Sequence, residues 1–458
     1  MLEPGNFEYK KLIERFEEMV LRGEEYFFDV ENFEDISDYY VQFGKDQNAL
    51  KSLNIGLKQH PFSTDLLIRR AQVHLDLSNM LLADQDLKAA ENIDPENPDL
   101  LIARAEWLSK RGQHNKAIQK LKRAGNILDS FEEVNPMIAS EYLELADYRR
   151  AAKYFKEVLL NDYDDGSALF SLSFCYDMLD ESDELVSFLK TYIDNNPYSE
   201  LAWHQLGLVY QKNKQFTLAI EAFDYACVID EYFSAAHYEK ARAHEMLGEF
   251  DHAISVYKSL IEVEDFNAYA YLRMGMAYRS KGDLKQAKRF MTKAYIDDPE
   301  LEDVLFNMVQ LHEELEEWRE AIYFINKLTD FSDTSGFLFY SAIIHQKAGL
   351  IDESVEIIER LMDSDECPVE AYLLYADLML ELEDINDSLD VLYQAIDRYP
   401  KEPHIFLRLG IMLFELHELD EAIFYVTRAY HMDKVLVENY LTQFPHIAKH
   451  PLIKRITD

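Results

Sequence analysis

His237 and His244, in the stretch HYEKARAH, are the first residues whose chemistry and spacing attract notice, because two imidazoles on one helix can share a metal ion. No further ligand pattern accompanies them and no His-Glu-x-x-His occurs, so metal ligation is not expected. Asp162, Asp164 and Asp165 suggest a calcium loop. There, however, Gly166 falls one residue early and Ser173 stands where a bidentate Glu is needed, and the stretch reads as a solvated turn. Cys175, Cys227 and Cys367 are far apart and never form Cys-x-x-Cys, which fits neither a disulfide framework nor a thiolate zinc site. With 86 Asp and Glu, paired carboxylates are everywhere and none singles itself out as an acid and base. Gly-rich phosphate loops and Gly-x-Ser-x-Gly elbows are missing. No catalytic residue, no metal and no cofactor is therefore expected.

Composition narrows the partners. Against those 86 acids stand 46 Lys and Arg, a net charge of −40 over 458 residues, and such a field opposes nucleic acid and acidic lipid headgroups. Hydrophobic residues at 48% and aromatics at 13% supply enough apolar surface for a large core. The first residues lack a secretory signal and no apolar run reaches membrane-spanning length, so membrane insertion is not expected. Together with the cysteine usage, this points to the reducing cytoplasm.

The elements that position these residues follow a period. Stepping by 34 residues from Gly207 lands on Ala241 and Gly275 going forward, and on Ser173, Ala139, Ala105, Ala71 and Ser37 going back. The register runs unbroken from 30 to 301 as eight units; 302–334 is one residue short, and three further units fill 335–436. The eighth residue of each unit is small except at Val309, and the twentieth is Ala or Ser except at Leu185. Small residues at both places let two helices approach closely. Gly112, Gly248, Gly282 and Gly349, near the fifteenth position, break the chain between the helices, and Pro61, Pro95, Pro197, Pro299 and Pro400 end the second. In residues 1–29, Leu12, Ile13, Phe16, Met19 and Val20 form one apolar helical face that caps the first hairpin. Residues 437–458 cap the last with Tyr440, Leu441 and Phe444, before Pro445 and Pro451 break the helix.

Trp203, Leu206, Gly207, Tyr210, Ala219, Phe223 and Ala226 in one unit, and Gly275, Tyr278, Ala287, Ala294 and Pro299 in another, resemble the tetratricopeptide repeat. The resemblance covers nearly the whole chain. It implies an all-α fold, a right-handed superhelix (α-solenoid) of antiparallel helix pairs whose first helices line a concave groove. It also offers one recognised binding mode, a Lys at position 5 with an Asn at position 9 that clamps chaperone tails. No unit has that pair.

At about 100° per residue, positions 4, 7, 8 and 11 of a first helix share one face and positions 2, 5, 9 and 12 another. The second set, placed on the groove wall by the resemblance, is apolar where water alone would favour polar residues. Position 5 includes Phe170, His204, Tyr238, Leu272, Phe306 and Phe339; position 9 includes Phe174, Leu208, Met276 and Ile343; position 2 adds Leu201. Arg242 and Arg279 lie beside them. Two readings stay open: position 5 packs against the neighbouring first helix, or the strip is a ligand groove whose arginines hold an acidic group. Leu185 with Tyr192, and Val309 with Leu328, put large side chains at close-contact points, so their helices are expected to stand apart. The functional expectation is a non-enzymatic scaffold or adaptor that binds a protein or peptide, including an amphipathic segment, in the groove. The alternative is an architectural subunit that forms homo-oligomers or joins a larger assembly.

Overall fold

The computed structural model describes residues 7–162, 165–262, 267–332, 334–364, 366–442, 444–451 and 453–454; Asp164 of the acidic turn lies outside them. All regular structure among these residues is helical. The chain forms two compact units, Met1–Ala236 and His237–Asp458.

In the first unit a leading helix, α1 (Phe7–Arg22), precedes six helix pairs: α2 (Val30–Gln42) with α3 (Asp46–Gln59), α4 (Thr64–Asp76) with α5 (Met80–Ile93), α6 (Pro98–Ser109) with α7 (His114–Leu128), α8 (Asn135–Glu144) with α9 (Tyr148–Asn161), α10 (Gly166–Leu179) with α11 (Ser182–Asn195), and α12 (Glu200–Lys212) with α13 (Phe216–Ile229). The boundary between units falls inside α14 (Ser234–Met246). Then come α15 (Phe250–Ile261), α16 (Ala268–Ser280) with α17 (Leu284–Asp297), α18 (Glu302–Glu314) with α19 (Trp318–Phe331), α20 (Ser335–Lys347) with α21 (Ile351–Met362), α22 (Val369–Glu381) with α23 (Ile385–Arg398), α24 (Pro403–Glu415) with α25 (Leu419–Met432), and two closing helices, α26 (Lys434–Leu441) and α27 (Pro445–Ala448).

The turn inside each pair is made by one device. Position 15 has positive φ in all twelve pairs: at Gly44, Gly112, Gly248, Gly282 and Gly349, and also at Ser78, Ala146, Asp180, Lys214, Glu316, Glu383 and His417. A left-handed residue lets its own N–H and the one after it reach back to the last carbonyls of the first helix. After α12, for example, Lys214 donates to Gln211 at 3.0 Å and Gln215 to Tyr210 at 2.8 Å. Glycine adopts this conformation without a Cβ clash, whereas the seven other residues carry strain that the packed helices on either side hold in place.

The small columns act as the spacing requires. Ala49, Ala83, Ala117, Ala151 and Ala219 are fully buried in unit one, as are Ala253, Ala287, Ala321 and Ala422 in unit two. Where serine replaces alanine its hydroxyl crosses the gap: Ser354 Oγ donates to the Ala342 carbonyl and Ser388 Oγ to the Ala376 carbonyl, both at 2.8 Å. Each links position 20 to position 8 of the same pair.

The large residues in those columns behave unequally. With Leu185 and Tyr192 buried between them, α10 and α11 approach each other less closely than the helices of any other pair in unit one. The pair α18 and α19 stays close although Val309 and Leu328 are both fully buried, because Val309 is smaller than leucine and the twentieth position of that pair is still Ala321. At the chain's start, Ile13, Phe16 and Met19 of α1 pack on Phe28, Phe33, Ile36 and Tyr40. Near its end Pro445 does not simply break a helix. It opens α27, where its missing N–H costs no intrahelical bond.

Candidate functional site

Splaying α10 from α11 opens a cleft of about 280 Å³ in unit one, between α10, α11 and α12. Phe170 and Phe174, four residues apart and so on one face of α10, stand in it 64% and 44% exposed. Leu208 and Val209 of α12 form the opposite wall, and Leu185 the floor. The Phe174 ring meets that of Tyr148 of α9 in a T-shaped contact, centroids 6.0 Å apart. The rim carries an ion pair between Lys212 of α12 and Asp177 of α10. The Asp177 carboxylate, by hydrogen bonding, holds the Lys212 ammonium above the ordinary lysine range.

Three of the strip residues expected from the sequence, Phe170, Phe174 and Leu208, thus meet around one cleft. The other two of unit one do not join them. Leu201 covers the backbone of Gly166, where an added Cβ would lie 2.6 Å from its Cδ1. The His204 ring sits against Phe223 and Phe233 at 5.7 and 5.0 Å.

In unit two the strip is largely self-packed. Tyr238 has the rings of Tyr269 and Tyr257 at 5.3 and 6.1 Å, and Phe306 has Phe337 and Tyr340, each at 6.0 Å. Met276, Phe339 and Ile343 are half-buried. Leu272 requires a correction: at 1% exposure it belongs to the core with Met291, Val304 and Leu305, so it cannot form a ligand pocket. The arginines divide. Arg242 is an exposed cation 3.5 Å from Glu239. Arg279 bridges α16 to α18 through Glu314 at 2.7 Å and Gln310 at 2.8 Å, so an acidic ligand would have to displace bonds within the chain.

Sequence reasoning missed Leu185 as part of the cleft, although the signal was present as the one exception in the twentieth column. It also paired His244 with His237, whereas the structure brings His252 and Glu249 beside His244.

The helix pairs, their left-handed turns and the matched small residues define a class, the helical-hairpin repeat proteins. Models of the tetratricopeptide repeat match residues 137–200, 204–268, 268–295 and 370–402, so the chain carries tetratricopeptide repeats there. Among relatives, the TPR repeat-containing protein YpiA of Bacillus subtilis is 20% identical over 302 residues, covering 64% of this chain and 70% of its own. The TPR repeat-containing protein MJ1428 of Methanocaldococcus jannaschii is 22% identical over 358 residues, covering 68% and 60%. Anaphase-promoting complex subunit 3 of Schizosaccharomyces pombe is 23% identical over 177 residues, covering 39% of this chain and 26% of that protein. No helix among the described residues is long and apolar enough to cross a membrane.

Proposed function

We propose that this protein is a non-catalytic scaffold that seats an apolar segment of a protein partner in the cleft of α10, α11 and α12. The observation that carries the reading is the pair Phe170 and Phe174, presented on one helix face and only partly covered by the chain itself. Exposed aromatics at the mouth of a preformed apolar cleft are where binding energy concentrates. The partner segment is amphipathic, with two apolar side chains for the cleft and basic residues flanking them, since a chain of net charge −40 steers cations toward it. The tetratricopeptide repeats and the relative named as a subunit of the anaphase-promoting complex support a role in protein assembly. The cytoplasm is the compartment consistent with the cysteine usage.

The test is a peptide selection on the purified full chain, followed by affinity measurement with the selected peptides. Phe170→Ala combined with Phe174→Ala should weaken binding by at least about tenfold while the circular dichroism spectrum is unchanged. Equal affinity for wild type and variant would remove the cleft from the binding surface.

A second reading, an architectural subunit, is favoured by Leu160, Val228 and Ile296, which are 57%, 82% and 73% exposed at the same place on α9, α13 and α17. Light scattering decides between the two. A stable homo-oligomer disrupted by Val228→Asp would favour assembly, and a monomer favours the scaffold.

A further inference from the structure

We infer that His244, Glu249 and His252 form a binding site for a first-row transition cation of the zinc type. The three come from the end of α14, the turn after it and the first turn of α15, and their donor atoms all lie within 4.8 Å of one another. Glu249 Oε2 is 2.7 Å from Nδ1 of His244 and 3.8 Å from Nδ1 of His252. The two rings lie face to face, centroids 5.3 Å apart and planes 26° apart, so both nitrogens front the same carboxylate oxygen. Two imidazoles and one carboxylate make a ligand set suited to Zn²⁺ and its neighbours, for which ligand atoms about 2 Å from the metal stand roughly 3.3 Å apart.

The turn explains why the groups converge. Gly248, with φ of 75°, reverses the chain, and the Glu249 N–H donates to the His244 carbonyl at 2.9 Å, which brings residues 244 and 249 together. Glu249 stands at the N-cap of α15, yet its side chain makes no capping bond and turns to the imidazoles instead. His252, three residues on, projects from the same side of the first helical turn. His244 is mostly covered, its side chain 12% exposed, whereas His252 and Glu249 are open to solvent at 71% and 44%. One ligand is therefore held rigidly, two can close on an ion, and water or a partner side chain completes the coordination.

The same unit contains a pair that shows what is special here. His312 and Glu317 occupy the equivalent positions of the next pair but one, with Nδ1 to Oε2 at 2.6 Å. There the same carboxylate oxygen also takes Lys288 at 2.5 Å, and the residue at the place of His252 is Glu320. A lysine ammonium thus supplies the positive charge that this His–Glu pair attracts. Beside Glu249 the third vertex is instead an imidazole, that of His252. We read the His–Glu pair as a feature of the repeat, and His252 as the addition that converts it into a ligand set.

Titration of the metal-free full chain with Zn²⁺, against a competing chelator of known affinity, should reveal one site per chain. His252→Ala, on an exposed side chain, should weaken it by more than about tenfold, the least that loss of even an outer partner costs at a metal site. Glu249→Gln should do the same. Co²⁺ in place of Zn²⁺ should give the visible absorption of low-coordinate cobalt, lost in His252→Ala. Wild-type and His252→Ala chains that titrate identically, or a wild-type chain without a saturable site, would overturn the assignment.

Discussion

Gly207→Ala is the sharpest test of how the repeat spacing builds the site. Gly207 sits on α12 directly before Leu208, which lines the cleft. A Cβ built there would fall 2.4, 2.6 and 2.8 Å from Cε1, Cδ1 and Cζ of Phe223, a ring with 0% exposure. Ordinary contact begins at 3.4 Å, so ring and helix must separate by about 1 Å. The ring cannot simply swing away, because it is fully buried and His204 packs beside it with centroids 5.7 Å apart. Overpacking of this kind costs about 1–3 kcal/mol, and the upper half of that range applies to three close atoms on a rigid ring. Alanine in place of glycine returns about 0.8–1 kcal/mol of helix propensity. The balance is a loss of roughly 1–2 kcal/mol, or about 2–8 °C for a cooperative unit of this size. Thermal and urea unfolding followed by circular dichroism would measure it. Gly336, in the first turn of α20 with nothing within 4 Å of its added Cβ, is the control, and Gly336→Ala should be neutral or stabilising. Phe223→Leu in the Gly207→Ala background should show a favourable coupling of at least about 0.5 kcal/mol, since the clash is with the ring. A Gly207→Ala chain that melts at or above wild type would refute the claim that position 8 is small because the facing helix leaves no room.

Two further outcomes follow from the turns and from one buried histidine. Ala146 is an exposed residue held at φ of 53°, so Ala146→Gly should raise stability by up to about 1 kcal/mol in urea melts, despite glycine's greater freedom when unfolded. Burial holds the His312 imidazole below the ordinary histidine range, and nearby Lys288 adds to this while the bond to Glu317 opposes it. As pH falls, the unfolded chain therefore takes up that proton before the native chain does. Stability from this group is full above about pH 6.5 and declines below it. Urea midpoints at pH about 7.5 and about 5.5 should differ less in His312→Gln than in wild type, and equal slopes would contradict the assignment.

Much of this was legible from residue order alone. The helices, their pairing and the small columns at positions 8 and 20 follow from a repeated local pattern, because helix formation, turn geometry and close approach each depend on residues near in sequence. The turn was legible at Gly112 or Gly248. It was less so at Ala146 or Lys214, where the same left-handed conformation is imposed by the packed helices on either side and not by residue preference. Leu185 was recognised as an exception and as a wedge. That the wedge opens a cleft and leaves Phe170 and Phe174 uncovered was decided by tertiary packing, since a period assigns residues to a face without saying what lies opposite. Leu272 and Phe170 occupy one repeat position, yet Leu272 is buried and Phe170 is 64% exposed, because the separation of neighbouring helices differs. For the same reason the sequence set His244 beside His237 on one helix, while the reversal at Gly248 placed it against Glu249 and His252. Sequence determined the repeating element and its chemistry; the distances between elements, which set burial and bring ligands together, arose only from the packed structure.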